Sequence, residues 1–408
     1  MSRRWKTHTF DSAPLEIIDG DRGKEYPKQD EFFDDGYCLF LDAGNVTGDG
    51  FDFSQCHFIS EQKDQALRKG RLKREDVILT TRGTIGNIGL FGENVPYENL
   101  RINSGMVILR ANPTELLPAF LYQYLRSPGF KGQVNSLRSG VAQPQLPIRD
   151  IRRIQIPMPA FNVQQRIANI LSAYDDLIEN NRRRMELLED AARQLYLEWF
   201  VRLRFPGREH TRIIDGVPKG WERKRLTDVA EINRESLGNS FDGEIEYVDI
   251  TAVSPGQINE TTSYELSEAP SRARRVVHHG DIIWSCVRPN RRSHAVIWQP
   301  ANNLIVSTGF AVITPTSLPT SFLHQATTTD SFAGYLENHA RGVAYPAVVA
   351  GDFERAEILV PHKHLVDAFN DFAEPLLGQS HNLRLQNGML RVARNLLLPR
   401  LMSGEITV

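Results

Sequence analysis

Residues 162–200 read NVQQRIANILSAYDDLIENNRRRMELLEDAARQLYLEWF, and the spacing of their large side chains decides how the chain is organised. Ile167, Leu171, Tyr174, Ile178, Asn181, Met185, Leu188, Ala192, Leu195 and Trp199 follow one another in alternating steps of four and three. A 3.5-residue period keeps one face turned toward a partner helix, which is the seam of a coiled coil. Asn181 is the polar member, of the kind that fixes register at some cost in stability. Asn162 with Gln165 three residues on reads as a capping box, and Pro206-Gly207 closes the segment. At 1.5 Å per residue the seam from Ile167 to Trp199 spans roughly 50 Å.

A second segment near the C-terminus carries a comparable seam. Leu376, Leu383, Leu390 and Leu397 recur every seven residues, Phe369 lies one heptad earlier, and Gly404 stands past the end as a stop. Ser380, Asn387 and Arg394 interrupt its apolar character, and Pro375 is expected to kink or break its beginning. Two such helices in one chain most simply pair antiparallel, as a rod with one globular domain at either end. The alternative is that each helix packs only on its own domain.

Outside the helices the chain repeats itself. Trp5-Lys-Thr-His-Thr-Phe10 pairs with Trp221-Glu-Arg-Lys-Arg-Leu226, and Asp42-Ala-Gly-Asn-Val46 with Asp249-Ile-Thr-Ala-Val253. Ile59-Ser-Glu61 answers Leu266-Ser-Glu268, and Glu75-Asp-Val-Ile-Leu79 answers Gly280-Asp-Ile-Ile-Trp284. Asn103-Ser-Gly-Met-Val-Ile108 pairs with Ser307-Thr-Gly-Phe-Ala-Val312, and Arg138-Ser-Gly-Val-Ala-Gln-Pro144 with Ala340-Arg-Gly-Val-Ala-Tyr-Pro346. All occur in the same order, with an offset drifting from 216 (Trp5 to Trp221) to 202 (Pro144 to Pro346), as small loop insertions produce. The period is far too long for a solenoid repeat, so each copy is a domain.

Short β-type runs fill the first copy at Cys38–Leu41, Val77–Thr80, Met106–Leu109 and Ile154–Ile156, with a helix expected over Leu116–Arg126. The second copy shows them at Tyr247–Ile250, Ile282–Ser285, Ala295–Trp298 and Phe310–Ile313. The fold class is therefore α+β: two tandem globular domains, at 1–158 and 206–360, with long helices over 159–205 and 361–408 forming an antiparallel coiled coil with pseudo-twofold repetition.

Composition narrows the function. A chain of 408 residues, 41% apolar, has material for two or three domains with real cores. No apolar run approaches the ~18 residues that span a bilayer, so no membrane role is expected. Cys38, Cys56 and Cys286 form no metal-type or disulfide pattern and read as thiols of a reducing cytoplasm. The formal net charge is −2, so nucleic-acid binding would have to come from local patches.

Such patches recur at equivalent places. The first copy has Arg68, Lys69, Arg71, Lys73 and Arg74, then Arg82 and Thr84 in the turn Thr80–Gly86. The second has Arg272, Arg274, Arg275, His278 and His279, then Arg288, Asn290, Arg291, Arg292 and His294. Asn103, and the matched loops Arg138, Ser139, Gln143 and Arg341, Tyr345, complete the candidates for contact with double-stranded DNA. Guanidinium can bond guanine bidentately and Asn can do so to adenine, while nearby glycines let backbone amides approach phosphate. The competing reading is that these charge runs are merely solvated surface.

Catalytic signatures are missing. There is no Gly-rich cofactor loop with an Asn/Asp-Pro-Pro-aromatic motif, and no G-x-x-x-x-G-K-[ST]. His362 and His364 lack further metal ligands in the sequence around them. Asp215 with Glu222-Arg-Lys224 imitates a metal-dependent nuclease, but Trp221 and Leu226 match Trp5 and Phe10, so the stretch reads as the opening strand of the second domain.

The domain exits carry a family resemblance over essentially the whole chain. Ile156-Pro-Met-Pro159 with Gln164-Gln-Arg-Ile-Ala-Asn-Ile-Leu171 and Asp175-Asp-Leu-Ile-Glu-Asn-Asn181, Val217-Pro-Lys-Gly-Trp221, and Leu397-Leu-Pro-Arg-Leu-Met-Ser-Gly-Glu405 resemble the specificity subunits of type I restriction–modification enzymes. The resemblance implies a non-catalytic subunit whose two target-recognition domains read the halves of a bipartite, asymmetric DNA site, with the helices setting the gap. It also implies partners: two methyltransferase subunits and motor-nuclease restriction subunits. S-adenosylmethionine, ATP and Mg are then expected on those partners, and no cofactor on this chain. A self-sufficient nuclease built on Asp215, Glu222 and Lys224, and a coiled-coil protein scaffold, are the competing functions.

Overall fold

The computed structural model describes residues 5–48, 50–140, 144–238 and 243–408. Two compact units emerge, one made of Met1–Glu179 with Asn387–Val408 and the other of Asn180–Gln386. Each therefore owns one globular head and one stretch of each long helix.

In the first unit a four-stranded antiparallel sheet runs in the order Leu15–Asp19, Met106–Ala111, Val77–Thr80, Ile88–Leu90. Strand alternation sends Val77, Leu79, Val107 and Leu109 into a core under the helices Pro118–Arg126 and Pro128–Leu137, where Phe120, Leu121 and Phe130 are fully buried. Ile78, Met106 and Ile108 point the other way, into a core shared with Leu39, Leu41, Leu100 and Ile102. Those residues lie on a second sheet, in which Cys38–Leu41 pairs antiparallel with Phe58–Ile59 and parallel with Leu100–Ile102. With both faces covered, the central strands read as continuous apolar runs. A ribbon of Thr7–Thr9 and Gln155–Pro157 joins the head's entrance to its exit.

The second unit repeats this order with one strand added. Ala230–Ile232, Phe310–Pro315, Ile282–Ser285 and His294–Val296 form its antiparallel sheet. Glu244–Val248 pairs antiparallel with Thr262–Glu265 and parallel with Leu304–Ser307, and Ala273–Val276 adds a further edge. Glu222–Arg225 with Glu357–Val360 is its ribbon, and Thr320–Thr328 with Asp330–His339 its helix pair.

The expected strands at Cys38–Leu41, Val77–Thr80 and Ile282–Ser285 have those bounds. Met106–Ala111 and Phe310–Pro315 run two residues longer than expected. Three runs slide: to Gln155–Pro157, to Glu244–Val248 with Ile250 already in a 3-10 turn, and to His294–Val296. The helix expected from Leu116 begins at Pro118, where proline's missing N–H costs nothing.

The first long helix covers Phe161–Tyr196 and ends in a wider turn over Leu197–Val201, with Arg202 N–H bonded to the Leu197 carbonyl at 2.7 Å. Asn162 lies inside this helix and is not its cap. Gln164 secures the start instead: its amide donates to the Glu115 and Pro159 carbonyls at 3.0 and 3.1 Å and accepts from Leu117 N–H at 2.9 Å. The second long helix runs unbroken over Lys363–Met402, so Pro375 does not interrupt it. Gly404, at φ +72°, closes it as expected.

The two helices pair antiparallel in both units. In the first, Ile167 and Leu171 share a core with Phe120, Leu398, Leu401 and Met402. In the second, Phe369 and Ala373 share one with Phe322, Ala192, Tyr196 and Phe200. The start of one helix thus meets the end of the other twice, with their roles exchanged. Leu195 and Trp199 only flank the second of these cores, because the seam moves over to Tyr196 and Phe200 ahead of the wide turn. Four-residue steps such as 192, 196, 200 follow the natural 3.6-residue helix more closely than a strict heptad does.

The residues that spoil the second seam are its polar links. Ser380 Oγ donates to Glu189 at 3.2 Å, and the buried Asn387 donates to the Ile178 carbonyl at 3.1 Å. Arg394 reaches Asp175 at 2.5 Å, and Asp175 also accepts from Gln123 and Arg126 at 2.7 and 2.6 Å. Burial pushes the Asp175 carboxyl up, but Arg126, Gln123 and Arg394 outweigh it and hold it below the usual range. Asn181 is buried in the seam, while Tyr174, Ile178, Met185, Leu188, Leu376, Leu390 and Leu397 are half-buried and Leu383 is buried. No helix among the described residues is long and apolar enough to cross a membrane.

Candidate nucleic-acid interface

In each head the central strand of the four-stranded sheet delivers the chain into an arginine-bearing turn. After Val77–Thr80, the turn closes on itself: Thr80 Oγ1 donates to the Thr84 carbonyl and accepts from Asn87 N–H, and Gly86 N–H returns to the Thr80 carbonyl at 3.0 Å. Gly83 and Gly86 take left-handed backbone, at φ +69° and +93°. Two neighbouring segments are then tied to this turn. Thr81 and Arg82 N–H both donate to the Gly105 carbonyl at 2.7 and 3.2 Å, while Gly105 N–H is held by the Asn103 side chain at 2.8 Å. Leu146 N–H donates to the Thr81 carbonyl at 3.0 Å, and Ser139 exchanges both backbone bonds with Gln145.

These bonds bring together the loops bearing Arg82, Thr84, Asn103, Arg138 and Ser139. All but the half-buried Asn103 are exposed. Gln143 lies outside the described residues.

The second head builds the same scaffold from different residues. Cys286 N–H donates to the Gly309 carbonyl at 2.8 Å, and Gly309 N–H to Ser307 Oγ at 3.1 Å, so Ser307 does what Asn103 does in the first head. Val348 N–H donates to the Cys286 carbonyl at 2.9 Å, Arg288 N–H to the Pro346 carbonyl at 2.7 Å, and Arg341 exchanges both backbone bonds with Ala347. Asn290, Arg291, Arg341 and Tyr345 are exposed around it, and Arg288 is half-buried.

The arginines sort into two kinds. Arg74 is spent on structure: it donates to the Gly92, Val95 and Tyr97 carbonyls and lies over the Phe91 ring at 4.3 Å. Arg71 bonds Asn99 and the buried Asp64, and Arg292 pairs with Asp330 at 2.6 Å. Arg82, Arg138, Arg288, Arg291 and Arg341 have neither an ion pair nor a side-chain hydrogen bond among the described residues. Uncompensated guanidinium groups on rigid, neighbouring loops suit an anionic ligand with hydrogen-bonding edges.

Arg288 is the most constrained of them. Its φ is +52°, a left-handed conformation that costs a non-glycine residue about 1 kcal/mol, and its guanidinium lies 4.7 Å from the centre of the Tyr345 ring. Both residues are visible as candidates in the sequence; their stacking is not.

Beneath the loops the heads differ in ways that composition does not signal. Asp76, buried at the start of the first head's strand, receives Arg110 through Nε and Nη2 at 2.8 and 2.7 Å. Its counterpart Asp281 has Thr314 where Arg110 stands; burial raises its carboxyl above the usual range despite the His278 N–H and Thr314 bonds. Trp284, His294 and His324 fill a layer whose first-head positions are Leu79, Ile88 and Tyr122. The His294 ring stacks on Trp284 at 5.3 Å and meets His324 at 5.4 Å. Burial is the main cause that drives His294 down to about 3 and the sole one that drives His324 down to about 4.

Of the other candidates, Glu222 and Lys224 pair with each other at 3.3 Å on the exposed ribbon, and Asp215 sits in the turn between the short strands Ile213–Ile214 and Val217–Pro218. His362 contacts the Lys219 carbonyl at 3.2 Å, beside His364. Among the described residues no three His, Cys, Asp or Glu side chains group as metal ligands do.

Known proteins share this plan. Residues 15–190 match the family described as type I restriction modification DNA specificity domain. The type I restriction enzyme MjaIX specificity subunit of Methanocaldococcus jannaschii is 25% identical over 349 residues, 81% of this chain and 78% of that protein. The HindI specificity subunit of Haemophilus influenzae is 21% identical over 449 aligned residues, covering 90% of this chain and 94% of that one. In three dimensions the S subunit of a type I restriction-modification system from M. genitalium superposes over 98% of this chain and 97% of its own, with a TM-score of 0.57 at 15% identity, which is a likeness of fold.

Proposed function

We propose, from the chain's membership of the type I restriction–modification DNA-specificity family, that each head reads one half of a bipartite, asymmetric site in double-stranded DNA. The observation that carries this reading is the duplicated loop scaffold. Arg82 and Arg138 in one head, and Arg288, Arg291 and Arg341 in the other, stand without an ion pair among the described residues on the same hydrogen-bonded framework. The heads share the framework and differ in the side chains mounted on it, so the two half-sites differ in sequence.

The chain works without a catalytic centre of its own and docks partners that carry one. Two methyltransferase subunits bind along the helix pair, and motor-nuclease subunits join them. S-adenosylmethionine, ATP and Mg belong to those partners. Duplication again supports the reading: one unit bares Ile170 and Met389 on its helices, the other bares the matching Phe372 and Leu187. Equivalent apolar positions on two helix pairs suit two copies of one partner.

Co-expression with a methyltransferase subunit tests it. The pair should methylate a split motif in the host DNA, neither protein alone should, and binding should weaken steeply with salt as phosphate contacts release counterions. Methylation of a single uninterrupted motif would contradict the two-head reading.

A further inference from the structure

We propose that Arg288, whose guanidinium lies over the Tyr345 ring, is a guanine-reading residue of the second head, and that the first head has no equivalent reader at this position. The inference rests on the reading above, that the heads bind DNA.

The comparison of the two turns carries it. In the first head the residue bridged to Gln145 is Arg82, and Gly83 follows at φ +69°. In the second head the residue bridged to Ala347 is Val287, and Arg288 follows at φ +52°. The same left-handed step of the same turn is therefore occupied by glycine once and by arginine once. Glycine takes such backbone freely, and an L-residue with a side chain does not. The second head keeps an unfavourable conformation that its own twin avoids. Strain held in place by surrounding structure is a mark of function, and here the structure that holds it is explicit. Arg288 N–H is tied to the Pro346 carbonyl at 2.7 Å, Pro289 is buried behind it, and the Tyr345 ring lies under the guanidinium at 4.7 Å.

That geometry favours a base edge over a phosphate. A phosphate is satisfied by any nearby positive charge, and Arg291 and Arg341 stand exposed and unstacked beside it for that purpose. A guanidinium resting on a ring has given up part of its rotamer freedom and keeps its planar fork of donors, the shape that matches O6 and N7 of guanine. No acceptor among the described residues occupies that fork. In the first head Gly83 carries no side chain, and the position matching Tyr345 is Gln143.

The test compares methylation motifs of the whole enzyme, co-expressed with its methyltransferase, for wild type, Arg288→Gly, Arg288→Lys and Tyr345→Ala. Wild type should show a required guanine in one half-site. Arg288→Gly restores the residue the first head uses, so the protein should fold at least as well; it should lose preference for that guanine by about 10-fold or more while the other half-site stays unchanged. Arg288→Lys keeps the charge and loses the fork, so it should relax the same position. Tyr345→Ala removes the ring beneath the guanidinium and should relax the same position. Weakening of binding to all sites alike, with a shallower salt dependence and an unchanged motif, would make Arg288 a phosphate contact and overturn the inference. So would a wild-type motif whose second half contains no guanine. A wild-type enzyme that methylates no split motif would instead sink the underlying two-head reading, and this one with it.

Discussion

The two heads share one blueprint and stabilise it by different chemistry, which separates what the architecture demands from what each copy is free to change. The first head uses ion pairs: Arg101, its side chain 5% exposed, bonds Asp64 and the Lys69, Asp64 and Leu67 carbonyls, and the half-buried Arg110 pairs with the buried Asp76. At the matching places the second head has Ile305 in an apolar cluster and Thr314 beside Asp281. It places aromatic and imidazole rings where the first has aliphatic side chains and a tyrosine. Both solutions hold the same loops in the same hydrogen-bonded frame. Fold depends on the frame; on the proposed reading, the DNA sequence recognised depends on the side chains it carries.

The largest expected difference lies in the buried ion pair. Arg101→Ala leaves the buried Asp64 with Arg71 as its one remaining cationic partner among the described residues and should cost about 3 kcal/mol in denaturant unfolding. Replacing both partners, Asp64→Leu with Arg101→Ile, removes the lone carboxylate and installs the residue type of Ile305, so it should recover part of that loss, the Lys69, Asp64 and Leu67 carbonyls being left without their donor. If the double variant is no better than the single, the two heads are not alternative solutions of one core.

Acid should separate the heads next. His294 and His324 titrate near 6.5 when unfolded and at about 3 and about 4 when folded. The folded form therefore holds fewer protons, its stability is complete above pH 6.5, and it declines as pH falls from there to about 4 for His324 and about 3 for His294. By pH 5 the loss should be on the order of 2 kcal/mol per histidine. Hydrogen exchange should show Ile282–Ser285 opening more readily at pH 5 than at pH 7 while Val77–Thr80 holds. Equal change in both strands would remove the histidines from the explanation, and His294→Leu should reduce the effect.

A smaller contrast concerns the paired aspartates. Asp76→Asn breaks a charge-assisted fork with Arg110 and should cost roughly 2 kcal/mol. Asp281→Asn removes a charge that burial already disfavours, so it should cost less than about 1 kcal/mol. Calorimetry of the two variants side by side checks the order; a reversed order would mean that Thr314 serves Asp281 better than Arg110 serves Asp76.

Much of this plan was legible in the sequence. The duplication showed because short motifs recur in one order, and the seam showed because large side chains repeat in steps of four and three. Where reading failed, the deciding contact was remote or local geometry intervened. Asn162 looks like a cap only until Gln164 is seen anchoring the helix to Glu115 and Leu117. Leu195 and Trp199 continue the period, yet the helix keeps its own pitch and buries Tyr196 and Phe200. Ser380, Asn387 and Arg394 read as defects because their partners, Glu189, the Ile178 carbonyl and Asp175, belong to the other helix. The arginines were visible as a class. Which are spent on structure, as Arg74 is, and which are left over, as Arg82 and Arg288 are, depends on carbonyls and carboxylates that no pattern in the chain announces.

The most direct test of the account exchanges one head. Residues 1–158 would be replaced by the corresponding domain of a type I specificity subunit, and the methylated motif of the assembled enzyme would be mapped across a genome. The account predicts a new sequence in one half of the motif, with the other half unchanged. A motif altered in both halves, or in neither, would contradict it.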